Sequence, residues 1–221
     1  MKLFLSAMVK FALGVVLMGA LIFLPAGTFE YPQGWLLMGI LFIPMFVAGL
    51  VMLARNPALL RSRLNAREKR GEQSLVVKLS GLMFLVGFIV AGVSFRRGWL
   101  LLPAGGSIVG TVLFLMSYAL YAEVLRENTW LSRTIEVQEG QTVVSTGLYG
   151  IVRHPMYAVT LVLFLSMPLV LGSVLAFVVF LAYPAIIVKR LLDEERFLAA
   201  ELPGYAEYMQ KVKWRLLPFI W

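Results

Sequence analysis

Short clusters of charge separate long uncharged stretches along this chain, at 11–29, 31–54, 79–95, 98–122 and 155–188. A bilayer core about 30 Å thick is crossed by roughly 20 mainly apolar residues in a helix. The first four stretches each predict one such helix. Lys78 and Arg96 lengthen the shortest by snorkelling from its two ends. Lys2 and Lys10 flank the first in the manner of a signal peptide, and we expect that stretch to be kept as a helix. The fifth is too long for one crossing and too short for two full crossings with a turn. Pro168 and Leu171-Gly172-Ser173 interrupt it, which predicts a helical hairpin over 155–190. Its two arms, of about 16 residues each, would reach about 24 Å.

The pattern therefore predicts an all-α integral membrane protein. Four transmembrane helices in 1–122 are followed by a C-terminal half, 123–221, in which polar segments 123–154 and 189–221 flank the hairpin. Composition agrees. Hydrophobic residues are 60% of the chain and charged residues 14%, against roughly 45–50% and 25% in soluble domains. No internal repeat or low-complexity tract is present.

The net charge of +8 raises the question of nucleic acid, and placement answers it. With the N-terminus in the cytoplasm, Arg55, Arg61, Arg63, Arg67, Lys69, Arg70 and Lys78 of the 55–78 loop fall inside. So do Arg126, Arg133, Arg153 and the cations from Lys189 to Arg215. Only Arg96 and Arg97 fall outside. Such asymmetry sets membrane orientation, so both termini are expected in the cytoplasm and no nucleic-acid role is needed. Within 55–78, Asn56-Pro57-Ala58-Leu59-Leu60 and the following Arg61, Arg63 and Leu64 fit either a short helix on anionic lipid or a plain charged loop. The chain has no cysteine, which excludes disulfides, thiolate metal sites and Cys nucleophiles.

Chemistry-bearing residues gather in the two polar segments. Val143-Val144 reads as extended, Gly147 permits a turn, and Pro155 suits the first position of a helix. The amides at that helix start are expected to be open to an anionic ligand. His154, the only histidine, stands between Arg153 and Pro155; a lone histidine without nearby carboxylates makes no metal site. On its own it reads equally well as a satisfied polar residue at the membrane surface. In the second segment Arg190 and Glu194 lie one helical turn apart, which an exposed ion pair would also explain. Pro203-Gly204 ends that helix, and Tyr205-Ala206-Glu207-Tyr208 begins another. Trp214 and Trp221 suit an interfacial anchor.

Gly147-Leu148-Tyr149, Arg153-His154-Pro155-Met156-Tyr157, Arg190 with Glu194-Glu195, Tyr205-Ala206-Glu207-Tyr208 and the Arg-Leu-Leu-Pro ending resemble the isoprenylcysteine carboxyl methyltransferases. The related phospholipid methyltransferases share much of this pattern. The resemblance covers about 128–221, while the first four predicted helices match in character alone. It implies an S-adenosylmethionine-dependent methyltransferase whose cofactor pocket opens to the cytosol. The positions it assigns to the cofactor are Gln138, Gln141, Thr142, Val143, Val144, Tyr149, His154, Pro155, Met156, Tyr157 and Glu194. It assigns Arg190 to the substrate. Ala158 stands where the family often has glycine.

Physical chemistry gives these roles sense. Tyrosine faces attract a sulfonium, Glu194 suits the ribose diol or amino group, and His154 suits the carboxylate. A carboxylate acceptor is already ionised and needs no base, so Arg190 would orient it. An amine acceptor would need one, and Glu195 is the candidate. A hydrophobic or lipidated acceptor, entering from the membrane lipid, explains why such chemistry sits in a bilayer. A phospholipid or other small-acceptor methyltransferase, an NADPH-dependent reductase of the sterol-reductase kind, and a non-enzymatic transporter or interaction protein are the alternatives. Oligomeric state leaves no mark in the sequence.

Overall fold

A computed structural model describes residues 2–64, 71–132 and 135–221. Arg67, Lys69, Arg70 and Arg133, which entered the orientation argument, lie outside the described residues. The described chain is helical, with α1 (Lys2–Ala26), α2 (Pro32–Arg55), α3 (Pro57–Leu64), α4 (Gly71–Arg97), α5 (Ala104–Glu127), α6 (Pro155–Val170), α7 (Val174–Phe180), α8 (Ala182–Glu201) and α9 (Tyr205–Lys211). No strand occurs among the described residues, and Val143-Val144, read as extended, lie in a segment without strand pairing.

Each of the four predicted helices takes in charged residues past one or both ends of its uncharged stretch, since Lys, Arg and Glu are good helix formers, while α1 stops at Ala26 and α5 starts at Ala104, inside their stretches. Proline sets several starts. Pro32, Pro57 and Pro155 open α2, α3 and α6, where the missing N–H would have had no partner. Asn56 caps α3 by accepting the Leu59 amide at 3.0 Å. The segment that sequence left open between helix and loop is thus helical from 57 to 64. Its last carbonyl, on Leu64, accepts the Lys10 ammonium at 2.7 Å.

The hairpin is present, turning at Leu171-Gly172-Ser173 with Gly172 at φ +69°, but its second arm corrects the expectation. α7 and α8 follow each other with only Leu181 between them. Together they give a helical run of 28 residues, Val174–Glu201, whose apolar part is long enough to cross a membrane. With α1, α2, α4 and α5 this makes five helices of spanning length, where the pattern predicts four. The uncharged run stops at its first cation, whereas the helix continues past it. The short arm is α6, with 16 residues.

Aromatic and hydrogen-bonded contacts fix the turn. The buried Tyr31 hydroxyl donates to the Leu171 carbonyl at 2.6 Å, while its ring stacks on Phe95 with centroids 4.0 Å apart. The Leu102 amide donates to Gly172 at 2.8 Å and the Val174 amide to Leu100 at 3.1 Å. α5 packs along α6, and α4 packs against α1, α7 and α8. Glycine permits these close approaches, as is usual between helices in lipid. A Cβ at Gly110 would lie 2.6 Å from the Val170 nitrogen, and one at Gly92 would lie 2.5 Å from the Ile22 carbonyl. The frame holds the hairpin's open end, where α6 begins and α8 ends, against the polar C-terminal segments.

Candidate active site

A cleft enclosing about 790 Å³ of empty space, its mouth included, lies at that open end. Residues of 128–132 and 135–144 form one wall, Met156 and Tyr157 of α6 a second, Arg190, Glu194 and Leu198 of α8 a third, and Tyr205 and Tyr208 of α9 the floor. The chain enters through a turn only glycine satisfies. Gly147 has φ +52°, and a Cβ there would lie 2.8 Å from the Glu127 carboxylate. Thr146 donates its hydroxyl to that carboxylate. A 3₁₀ turn, Gly147–Gly150, then buries Tyr149, whose carbonyl accepts the Tyr208 hydroxyl at 2.7 Å.

Inside the cleft, the Tyr157 hydroxyl joins the two α8 residues singled out by sequence. It donates to Glu194 Oε2 and accepts Arg190 Nε at 3.0 Å. Arg190 and Glu194 are therefore not merely an exposed helical ion pair; one phenol holds both at the cleft wall. The His154 ring lies nearly parallel to Tyr157, with centroids 5.6 Å apart.

Behind this wall is a buried charge cluster centred on Glu195. Its Oε1 accepts Arg153 Nε at 2.6 Å and meets His154 Nε2 at 3.2 Å, while Oε2 accepts Arg215 Nε at 2.9 Å. Arg153 also donates Nη1 to the Val212 carbonyl at 3.1 Å. The backbone repeats the link, as the Arg153 amide donates to Trp214 O at 2.8 Å and the His154 amide to Arg215 O at 2.9 Å. The tail thus takes the two amides just before the helix, while the Tyr157 and Ala158 amides inside its first turn donate to His154 O. The tail folds on itself in turn. The Arg215, Leu216 and Leu217 amides all donate to Trp221 O, and the Arg215 guanidinium lies 5.0 Å over the Trp221 ring.

Burial pushes the hydroxyls of Tyr149, Tyr205 and Tyr208 well above the usual phenol range; Asn128 and Arg63 partly oppose this at Tyr149, and Glu194 and Glu195 reinforce it at Tyr205. These phenols stay protonated and can donate.

Gln141, Thr142, Val143, Val144, Tyr149, His154, Met156, Tyr157, Arg190 and Glu194 line the cleft together. Gln138, Pro155 and Glu195 do not. Gln138 spans the coil, giving Nε2 to Trp130 O at 2.6 Å and its amide to Gln141 Oε1 at 2.9 Å. Pro155 opens α6, and Glu195 belongs to the cluster behind the wall. Sequence reasoning missed Asn128, Trp130 and Glu136, which line the cleft from the coil after α5. A tryptophan amid polar residues at a helix exit was their signal. Among the described residues, no three His, Asp or Glu side chains converge as metal ligands would.

Residues 104–202, which contain α5 to α8 and most of the cleft, match the family model described as phospholipid methyltransferase. The chain is 34% identical over 87 residues to the cobalt-zinc-cadmium resistance protein CzcN of Cupriavidus metallidurans, covering 37% of this chain and 38% of that one. It is 31% identical over 91 residues to the Delta(14)-sterol reductase of Mus musculus, covering 40% of this chain and 22% of that one. The matched regions are well under half the length of either curated relative. The five apolar helices support a multi-pass membrane protein, and the family match makes residues 104–202 similar to the phospholipid methyltransferases.

Proposed function

We propose that this protein is an S-adenosylmethionine-dependent methyltransferase whose acceptor is a carboxylate on a lipidated, prenylcysteine-like or otherwise hydrophobic molecule. The observation that carries this reading is the Arg190–Tyr157–Glu194 arrangement inside the cleft.

The cleft suits the cofactor. The Tyr149 hydroxyl is buried without a hydrogen bond of good geometry, as a donor awaiting a ligand would be. Glu194 and Glu136 supply acceptors for a diol or amine, and Trp130, Tyr149, Tyr157 and Tyr205 supply faces for a base or sulfonium. S-adenosylmethionine, when bound, supplies a methyl group on a cationic sulfur that a carboxylate oxygen displaces in line.

The protein's part is positioning. Tyr157 fixes the Arg190 guanidinium, and a fixed guanidinium pairs a carboxylate through two parallel N–H donors. Glu195, the candidate base for an amine acceptor, is buried beneath two arginines and a histidine, which favours an acceptor that arrives without a proton to lose. A phospholipid amine remains the second reading, favoured by the description of the matching family model. The basic excess near 55–78 and 189–215 supports a cleft facing the cytoplasm.

Calorimetric titration of the detergent-purified protein tests the cofactor. Saturable binding of S-adenosylmethionine and S-adenosylhomocysteine is expected, and it should be lost in Glu194→Ala. Folded protein that binds neither sinks the reading, and NADPH binding in their place would put a reductase there instead.

A further inference from the structure

Adjacent carboxylates on one helix point about 100° apart, so Glu194 and Glu195 cannot share a task. Glu194 faces the cleft. Glu195 faces Arg153, Arg215 and the His154 ring, and so ties α8 to α6's start and to the tail. The ring's polar contacts, to Glu195 at 3.2 Å and the Tyr205 hydroxyl at 3.5 Å, are both made through Nε2. Nδ1 has no hydrogen-bond partner among the described residues, and His154 lines the cleft.

We propose that Glu195 is a positioning residue: it fixes His154 with Nε2–H as donor, so that Nδ1 offers its lone pair to an ammonium group bound in the cleft. The assignment rests on the cofactor reading above, which supplies an α-ammonium as that ligand.

The tautomer follows from chemistry. A carboxylate paired with two guanidinium groups is ionised and only accepts, so the imidazole nitrogen facing it must carry the proton. In a neutral ring the other nitrogen is then an acceptor. The expectation from sequence, that His154 meets the ligand's carboxylate, is thereby reversed. Two backbone bonds from the tail, at Trp214 O and Arg215 O, keep the Arg153–His154 peptide from turning away. Residues 212–221, beyond the region matched by the family model, thus become part of the site.

His154 is the only histidine, so ¹⁵N-histidine labelling gives one pair of ring resonances. Wild-type protein at mildly alkaline pH is expected to show the Nε2–H tautomer, with Glu195→Gln losing that preference. S-adenosylhomocysteine, which carries the amino-acid ammonium, should shift Nδ1; 5′-methylthioadenosine, which lacks it, should not. Glu195→Gln should weaken S-adenosylhomocysteine about ten- to a hundredfold, the effect of one charge-assisted hydrogen bond, and leave 5′-methylthioadenosine unchanged. An Nδ1–H tautomer in the wild type, an Nδ1 indifferent to bound S-adenosylhomocysteine, or equal loss of both ligands in the variant overturns the proposal. The first two are read on wild-type protein, so a variant that fails to fold leaves the test standing. Wild-type protein that binds no S-adenosylhomocysteine removes the cofactor reading itself, and the ammonium with it.

Discussion

Tyr157 is where one atom does most. Its hydroxyl is the common partner of Arg190 and Glu194, so Tyr157→Phe removes two bonds to charged groups while keeping the ring that packs on His154. Hydrogen bonds of this kind contribute about 1.5–3 kcal/mol each, but Arg190 and Glu194 can re-pair along α8 and recover part of that. The expected net result is a loss of roughly tenfold in S-adenosylhomocysteine affinity by titration. Undiminished affinity in Tyr157→Phe would mean that the phenol does not organise the cleft. The buried phenols make a second prediction. Tyr149, Tyr205 and Tyr208 hold their protons more tightly folded than unfolded. Above about pH 10 the unfolded chain loses phenol protons that the folded chain keeps. Their contribution is therefore complete below that pH and falls as pH rises through it. Melting of the solubilised protein should move to lower temperature there, with the tyrosinate absorbance appearing together with unfolding and not before it. At this scale sequence identified which residues matter better than what they do. Arg190 and Glu194 stand four residues apart and read as a pair, whereas local pattern carries neither their shared bond to the Tyr157 hydroxyl, 33 and 37 residues away, nor the setting of Glu195 between Arg153 and Arg215.

Among the elements, the contact between α5 and α6 is the one on which the cleft depends, since α6 begins at Pro155, next to His154, and α5 leads into the segment that walls the site. Gly110 lets the two backbones meet, with Val170 nitrogen and Leu169 atoms inside the space a Cβ would take. Gly110→Ala is expected to cost about 1–3 kcal/mol, the usual range for overpacking. A Cβ at Gly39 on α2 would meet nothing within 4 Å beyond its own helix; Gly39→Ala should be neutral or slightly stabilising, because alanine is the better helix former. Thermal melting followed by size-exclusion fluorescence compares the pair, and equal melting temperatures would remove the close-approach argument. The helices were legible because apolar runs of that length have few other uses. The second arm of the hairpin was not, because the end of an uncharged run marks where the membrane stops rather than where the helix does. α8 carries Lys189, Arg190 and Glu194 without a break in its backbone hydrogen bonding, and the site is built on that polar extension. Nor does local pattern reveal that the hairpin's turn is held from outside by Tyr31 and the loop between α4 and α5.

For the whole molecule, direction across the bilayer decides whether the cleft meets a cytosolic cofactor. Arg96 and Arg97 end α4, whereas the other described cations lie on α1, around α3 and the first turns of α4, at the end of α5, before α6, in the second half of α8 and in 211–215. On the positive-inside tendency the proposal expects the cleft and both termini in the cytoplasm, with the loop between α1 and α2 on the far side. The absence of cysteine makes this directly measurable, because any thiol introduced is the only one. Glu30 lies in the loop between α1 and α2 and Glu139 in the coil beside the cleft, and both are exposed. A membrane-impermeant maleimide added to intact cells should label Glu30→Cys at once and Glu139→Cys only after the membrane is opened. The reverse pattern would turn the cleft away from the cytosol, and a cofactor made there could not reach it. The methyltransferase reading would then lose its supply of methyl donor, however well the cleft bound one in detergent.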